Sequence, residues 1–284
     1  IFFLAAFLDY FADTIKRFWK RFVPVCLIAG VVVGLIVGQD FGTAAFIAML
    51  TFMMLLIGGA SWWHFFVPAA AAAPAFFVAV CSSPYRLDRI KAFFNPEMVG
   101  ADVRYQAGQS LIAISRGRMW GKGLGMGVSK YRHLPEDTTD FIFSIICEEA
   151  GFAGGLFVIV LFASLVVMGL VVAFRCRDRF GRLLAAGIVL TVGIQAAINI
   201  GVVTVVLPTK GIPLPFISAG GTSMLLCAAA AGVLINIARQ TADVPQQLRR
   251  ELIRSVTQAA ENETQLPSLH GPIRRWRKYL QSAT

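Results

Sequence analysis

The sequence predicts an all-α fold, that of a polytopic integral membrane protein. Hydrophobic residues make up 57% of the 284 residues and charged residues only 15%, whereas soluble domains carry about 25% charged residues. The charged residues are clustered, and the apolar runs between them approach the length that crosses a bilayer. These runs are apolar all round, whereas a helix on a soluble core keeps one polar face. Both features favour helices that are surrounded by lipid.

Seven apolar runs divide the chain, at about 1–12, 22–38, 43–57, 65–81, 156–174, 183–207 and 224–237. The first is too short to cross a bilayer and the chain has no initiator Met, so we expect the chain to begin inside a helix. We expect a membrane domain at 1–240, with about six full spans after the partial first one, and a cytoplasmic basic tail at 241–284.

The stretch at 82–140 is predicted to be a long polar loop outside the membrane. The segment at 109–114 is apolar but only about a third of a span, a length that suits a re-entrant or surface helix better than a crossing one. Residues 141–150 are expected to extend the fifth run as a helix above the membrane. Residues 138–140, Thr-Thr-Asp, are good candidates to cap that helix.

The distribution of basic residues predicts the orientation. Clusters at 16–21, at 175–182 and from 239 onward all fall on one side when crossings are counted. The positive-inside rule assigns that side to the cytoplasm, which leaves the loops at 82–140 and 208–222 outside. Some cations break the rule because they are basic and outside, among them Arg86, Arg89 and Lys91. These three either bind an anionic group or contact lipid headgroups.

Several functions are disfavoured by the sequence. The net charge of +10 does not indicate nucleic-acid binding, because the basic residues form no groove-sized stripe. The five cysteines have no metal-type spacing. The run GKGLGMG at 121–127 fits neither of the common nucleotide-binding glycine motifs. The spans hold almost no ionisable group, which a proton- or ion-coupled transporter needs; Gln195 and Asn199 share one helix face, where we favour interhelical hydrogen bonds.

The outer loops contain the ionisable residues that the spans lack. Glu136, Asp137 and Asp140 lie within five residues, and Asp140 stands where polar loop meets apolar helix. Partial desolvation at that junction raises the pKa of a carboxylate toward that of a useful base. The alternative is that Asp140 only caps the helix. In the Pro/Gly-rich loop PTKGIPLPFISAGG, Lys210 is the only charge; it either reaches toward the membrane surface or holds a phosphate.

Four segments together resemble the SEDS family of shape, elongation, division and sporulation proteins, over residues 1–240: YQAGQSLIAI, GKGLGMG, LPEDTTDFIFSIICEEAGFAGG and NIGVVTVVLPTKGIPLPFISAGGTS. The PTKG segment resembles that of the division branch, FtsW, and of its sporulation relatives, and the chain as a whole is most similar to FtsW. The resemblance implies a peptidoglycan glycosyltransferase of about ten spans, so about three and a half would precede this chain. The local sequence departs from the family pattern at Gln39, Arg116, Arg118 and Ala219, which affects loop shape rather than the acidic motif.

The resemblance also implies a substrate, a site and partners. The substrate would be lipid II, a disaccharide-pentapeptide on undecaprenyl pyrophosphate, polymerised at the outer face of the bacterial inner membrane. Asp140 matches the family's essential aspartate, and Mg²⁺ or Mn²⁺ is expected to assist. The expected partners are a class B penicillin-binding protein and other division proteins. The alternatives are a rod-elongation polymerase of the RodA type, a lipid II flippase and a division scaffold. Residues expected to bind substrate are Lys210, Glu136, Arg86, Gln109 and Ser218.

Overall fold

A computed structural model describes residues 1–12, 22–81, 87, 101–127, 140–208 and 211–264. Its elements are helices throughout, and the described residues include no strand. The eight α-helices are α1 Phe2–Tyr10, α2 Val23–Val37, α3 Phe41–Ile57, α4 Phe66–Cys81, α5 Ala101–Gly117, α6 Ile142–Arg175, α7 Arg179–Val203 and α8 Gly221–Thr264, with a short 3-10 helix at Trp62–Phe65 before α4. The predicted all-α fold is confirmed.

Within the described residues, three helical segments are long and apolar enough to cross a membrane: Ile142–Arg175, Arg179–Val203 and Gly221–Ala242. Helices α2 and α3 are apolar but have only 15 and 17 residues, at or below the lower limit for a span. The outer surface of α6 is lined with large apolar side chains, as expected for a helix in lipid: Phe157, Val160, Leu161, Val167, Met168 and Phe174. The count of six full spans stays a prediction.

The structure corrects three expected boundaries. Helix α5 occupies 17 residues of the stretch that was predicted as a loop, far more than the apolar 109–114. Helix α7 ends at Val203 rather than near 207, because Val205 adopts a positive φ of 59°. The N-cap position of α6 is Phe141 rather than Asp140, and the Phe141 side chain makes no capping hydrogen bond. The other two expected capping residues, Thr138 and Thr139, lie outside the described residues.

Helices α6 and α7 form an antiparallel hairpin, because only the residues at 176–178 connect them. The residues that precede α6 and those that follow α7 therefore meet at one end of the hairpin, named here the Asp140 end. The connecting turn lies at the opposite end, named the Arg179 end. Asp178 begins α7 there by accepting a hydrogen bond from the Gly181 amide at 2.6 Å, as an N-cap aspartate does.

Two apolar clusters lie toward the two ends. One joins α1, α3 and the first turns of α7 at the Arg179 end, around Leu8, Met54 and Ala185. The other joins the start of α6 to the last turns of α7 at the Asp140 end: Phe141, Phe143, Cys147, Val158, Ala196, Val203 and Leu214. By contacts, the chain divides into two compact units, Ile1–Ile237 and Ala238–Thr284. Both clusters belong to the first unit.

Candidate active site

Asp140 lies half-buried immediately before α6. Its side chain approaches the backbone of Gly211, since a Cβ added to that glycine would lie 2.9 Å from Asp140 Oδ2. Gly211 is the last residue of the PTKG segment and is 71 positions away in the chain. The acidic motif and the lysine-bearing loop, which were predicted to share one face of the protein, thus meet at the Asp140 end.

The amide of Asn199 holds these two segments together. Asn199 Nδ2 donates to the backbone carbonyl of Asp140 at 2.8 Å and to that of Ile212 at 2.7 Å. The residue is buried, and within the described part of the chain Asn199 Oδ1 has no hydrogen-bond partner. Gln195, one turn earlier on the same face, donates from Nε2 to the carbonyl of Pro213 at 3.1 Å. The predicted interhelical hydrogen bonds are therefore wrong, because both amides bind loop carbonyls instead.

The loop that follows is held by its own serine. Ser218 Oγ accepts a hydrogen bond from the Leu214 amide at 2.7 Å, and the Ser218 amide donates to the Leu214 carbonyl at 3.0 Å. Phe216, between them, adopts a positive φ of 62°, which a bulky residue adopts only where its surroundings enforce it. Ser218 is buried and fixes the loop beside Asp140. Its expected contact with substrate stays a prediction.

The other predicted site residues fall partly outside the described residues. Gln109 lies half-buried on α5. Its neighbour Ser110 is fully buried and donates from Oγ to the Val203 carbonyl at 2.7 Å, which docks α5 on the end of α7. The remaining residues lie outside the part of the chain that the structure describes: Lys210, Glu136, Arg86, Arg89 and Lys91.

One feature near the site was not predicted from the sequence. Helix α6 is broken at Gly151, whose φ of 72° and ψ of −169° are not helical. The Gly-rich loop at 118–127 lies against this break, and Lys122 Nζ forms an ion pair with Glu148 Oε1 at 3.2 Å. Glu148 is 0% exposed and Lys122 34% exposed. The sequence signal that could have indicated it is a Glu-Glu pair inside an otherwise apolar run, preceded by a lone lysine between glycines.

Metal binding by protein groups alone is not built into the described residues, since no three His, Cys, Asp or Glu side chains come together there. Asp140 supplies one carboxylate at the site. Mg²⁺ is usually held by one or two carboxylates together with substrate phosphates rather than by an all-protein cage. The donor set at the Asp140 end therefore fits a metal that arrives with a phosphorylated substrate.

Three long apolar helices among the described residues define a multi-pass membrane protein, and Asp140, Asn199 and Gly211 lie together at one end of the α6–α7 hairpin. Comparison with known proteins agrees: residues 1–243 match the family model FtsW/RodA/SpoVE, described as cell cycle proteins. This chain belongs to the FtsW/RodA/SpoVE family, as its motifs predicted.

Named relatives from two branches of the family are similar to this chain. The chain is 39% identical over 238 residues to a probable peptidoglycan glycosyltransferase FtsW of Trichlorobacter lovleyi, covering 84% of this chain and 62% of that protein. It is also 39% identical over 238 residues to the stage V sporulation protein E of Bacillus subtilis, covering 84% and 65%. The chain thus spans less than two thirds of the length of these relatives.

A solved structure shares the fold. It is described as the structural coordination of polymerization and crosslinking by a peptidoglycan synthase complex. The similarity has a TM-score of 0.64 with 27% sequence identity, and it covers 84% of this chain and 66% of the other.

Proposed function

We propose that the protein to which this chain belongs polymerises lipid II into glycan strands. The observation that carries the proposal is the contact between the Asp140 carboxylate and Gly211, because it brings an acid–base group beside the loop in which Lys210 precedes Gly211. The names of relatives such as the FtsW of Trichlorobacter lovleyi, a probable peptidoglycan glycosyltransferase, support the same activity.

The reaction requires a base and a group that stabilises the leaving pyrophosphate. The hydroxyl oxygen of an acceptor sugar forms a bond to the anomeric carbon of the donor. The bond from that carbon to the pyrophosphate oxygen breaks, and undecaprenyl pyrophosphate leaves with the bonding electrons. Asp140 takes the hydroxyl proton, and a half-buried carboxylate beside rigid loop backbone suits that role. The backbone carbonyl of Asp140 is fixed by Asn199, so the side chain starts from a defined position.

Positive charge must meet the pyrophosphate as it departs. We assign this role to Lys210 and Arg86, with Glu136 and Gln109 binding the sugars and Ser218 shaping the loop. A bound Mg²⁺ or Mn²⁺ would neutralise pyrophosphate charge, and Asp140 is the described carboxylate placed to hold it.

The proposed location is the bacterial inner membrane, with the Asp140 end outside. One contact supports the counting of crossings on which this orientation depends. The Arg179 guanidinium donates from Nη2 to the Gly58 carbonyl at 3.1 Å, joining two turns that the counting of crossings assigns to the cytoplasmic side. A cysteine at Arg177 should label with an impermeant thiol reagent only from the cytoplasmic side, and one at Trp120 only from outside. Labelling of both from the same side would contradict the orientation.

The proposed partner is a class B penicillin-binding protein, which would crosslink the new strand, together with other division proteins. The solved peptidoglycan synthase complex, in which polymerization is coordinated with crosslinking, supports such a pairing. We favour a role in division, because relatives named FtsW match at 36–39% identity. The identity to a sporulation protein is equally high, so a role in sporulation is the alternative. A fluorescent fusion that locates to the septum of dividing cells would favour division.

The decisive experiment is Asp140→Asn in the purified full-length protein with its transpeptidase, supplied with lipid II in detergent. The amide keeps the size of the carboxylate but cannot accept the proton. General-base catalysis contributes roughly 10²–10⁴-fold, so strand synthesis should fall by that order while the amount of folded complex stays the same.

The control is Asp178→Asn, which changes a carboxylate at the Arg179 end and keeps a residue that caps helices about as well. It should polymerise normally. Near-normal polymerisation by folded Asp140→Asn would remove Asp140 as the base. In detergent lipid II is accessible without transport, so an unsubstituted protein that forms no polymer there, yet moves lipid II across vesicles, would favour the flippase.

A further inference from the structure

We propose that the Gly-rich loop at 118–127 is a brace that sets the direction of the α6 segment behind Asp140, and that Lys122 and Glu148 are positioning residues for that carboxylate. The inference rests on the proposed function only for its effect on turnover. Its structural part concerns the break in α6 at Gly151.

The break leaves backbone groups without their helical partners. In an unbroken helix the amides of Phe152 and Ala153 would donate to the carbonyls of residues 148 and 149. The conformation of Gly151 is one that only glycine adopts readily, and it separates these groups. In and near a membrane, such groups must be satisfied by protein, since lipid offers no hydrogen bond.

The loop supplies all four missing partners. The Phe152 amide donates to the Arg118 carbonyl at 2.8 Å and the Ala153 amide to the Met119 carbonyl at 3.2 Å. On the other side of the break, the carbonyls of residues 148 and 149 accept from the amides of Lys122 at 3.1 Å and Gly123 at 3.0 Å. The loop thus stands between the two halves of α6 and bonds to both.

Side chains then lock the loop in place. Glu148 is fully buried and its carboxylate pairs with Lys122. The neighbouring Glu149 accepts from the Gly125 amide at 3.0 Å through Oε2 and from the Gly127 amide at 3.4 Å through Oε1. Glu148 therefore holds the loop through an ion pair, and Glu149 holds it through hydrogen bonds to its backbone amides.

The backbone of the loop packs tightly against the backbone of α6 at the break. A Cβ on Gly121 would overlap the backbone carbonyl of Glu149, and one on Gly151 would overlap the backbone of Gly121 and Met119. The loop follows directly from α5, which Ser110 docks on the end of α7. The half of α6 from 142 to 150 is thereby fixed to α5 and α7, and Asp140 lies at the end of this segment that is farther from the break.

Lys122→Met tests the charge pair. It removes the Lys122 charge from beside the buried Glu148 carboxylate, which should displace the loop and tilt the segment at 142–150. A misplacement of about 1 Å costs roughly 10²-fold in rate, so kcat should fall by up to that factor while KM for lipid II stays the same. The double variant Lys122→Met with Glu148→Gln removes both charges and should recover most of kcat. Arg116→Met, which removes an exposed cation at the end of α5, is the matched control.

Gly121→Ala tests the packing separately from the charge. Gly125→Ala is its control, since the two glycines have similar positive φ values of 77° and 84° but nothing lies within 4 Å of a Cβ at Gly125. Gly121→Ala should therefore lower kcat far more than Gly125→Ala. Equal kcat values for the two would overturn the packing step.

Hydrogen exchange of the full-length protein separates the brace from the catalytic proposal. In Lys122→Met and Gly121→Ala, exchange should accelerate in peptides covering 118–123, 148–153 and 141–147, and return to normal in the double variant. Faster exchange with unchanged kcat, or lower kcat with unchanged exchange, would each overturn the positioning role. If the unsubstituted protein makes no polymer, the proposed function fails, while exchange at 141–147 still decides whether the loop braces the segment.

Discussion

The two ends of the α6–α7 hairpin are stabilised in different ways. At the Asp140 end, side-chain amides bind the carbonyls of the loop backbone, as Asn199 does at 2.7 and 2.8 Å. At the Arg179 end, rings and aliphatic side chains pack together, with Phe22 against His64 and Phe65 at centroid distances of 5.3 and 5.0 Å. Hydrogen bonds have a required direction and apolar packing has none. Buried side-chain amides therefore fix the direction of the loop backbone beside Asp140, in addition to the apolar packing that both ends share.

The broadest effect, on both stability and turnover, is expected from Asn199→Asp at the Asp140 end. The carboxylate keeps the shape of the amide but cannot donate to the carbonyls of Asp140 and Ile212. Each buried carbonyl that loses its donor costs roughly 1–3 kcal/mol, so the free energy of unfolding should fall by at least about 2 kcal/mol. Polymerisation per folded molecule should fall as well. Unfolding in detergent and turnover of lipid II measure the two effects.

Gln195→Glu is the matched change for Asn199→Asp. It alters the same chemistry one helical turn away, where the amide donates to one loop carbonyl at 3.1 Å and is only half-buried. Its effect should be clearly smaller. Equal losses from the two substitutions would show that the doubly bonded amide has no special part in placing Asp140.

A large effect on stability alone is expected from Phe22→Ala at the Arg179 end. The substitution removes a fully buried ring together with its two ring contacts, and truncating a buried Phe to Ala costs roughly 3–5 kcal/mol. We expect less folded protein after solubilisation and a lower melting temperature, with unchanged turnover of lipid II per folded molecule. Phe174→Ala, at an exposed ring on α6, should change neither. A fall in turnover for Phe22→Ala would mean that the two ends are coupled.

The smallest effect is expected from Arg179→Met, which removes one hydrogen bond to the Gly58 carbonyl. A typical hydrogen bond contributes about 1 kcal/mol net, and this guanidinium is only partly buried. Thermal unfolding should move slightly, and Arg177→Met, at an exposed arginine two residues earlier, should not move it. A loss as large as that of Phe22→Ala would make this polar contact, rather than ring packing, the main support of the Arg179 end.

The sequence predicted most of the fold and part of the site. Apolar runs revealed the long helices, because helix length in a membrane is set by bilayer thickness and appears directly as composition. Asp140 stood out because it lies where polar loop meets apolar helix. Its contact with Gly211 was expected only as a shared face, since nothing local in either segment specifies the other.

The missed features depend on contacts between distant segments. Asn199 was expected to bind another helix, but its partners are carbonyls of residues 59 and 13 positions away. The break at Gly151 was missed because a glycine inside an apolar run is common in membrane helices. The loop at 118–127 satisfies the backbone groups that the break separates. The GKGLGMG sequence of that loop does not by itself specify this contact with α6.

The brace also has a consequence for how the protein is made. The Lys122–Glu148 pair closes a loop of 26 residues, whereas joining Asp140 to Gly211 requires 71 more residues of chain after Asp140. Shorter loops close at a lower entropic cost, and the chain emerges from the ribosome in order. On a growing chain the bent α6 is therefore complete before the lysine-bearing loop has been synthesised. Asp140 is then already positioned when the lysine-bearing loop is synthesised, so the docking of that loop completes the site.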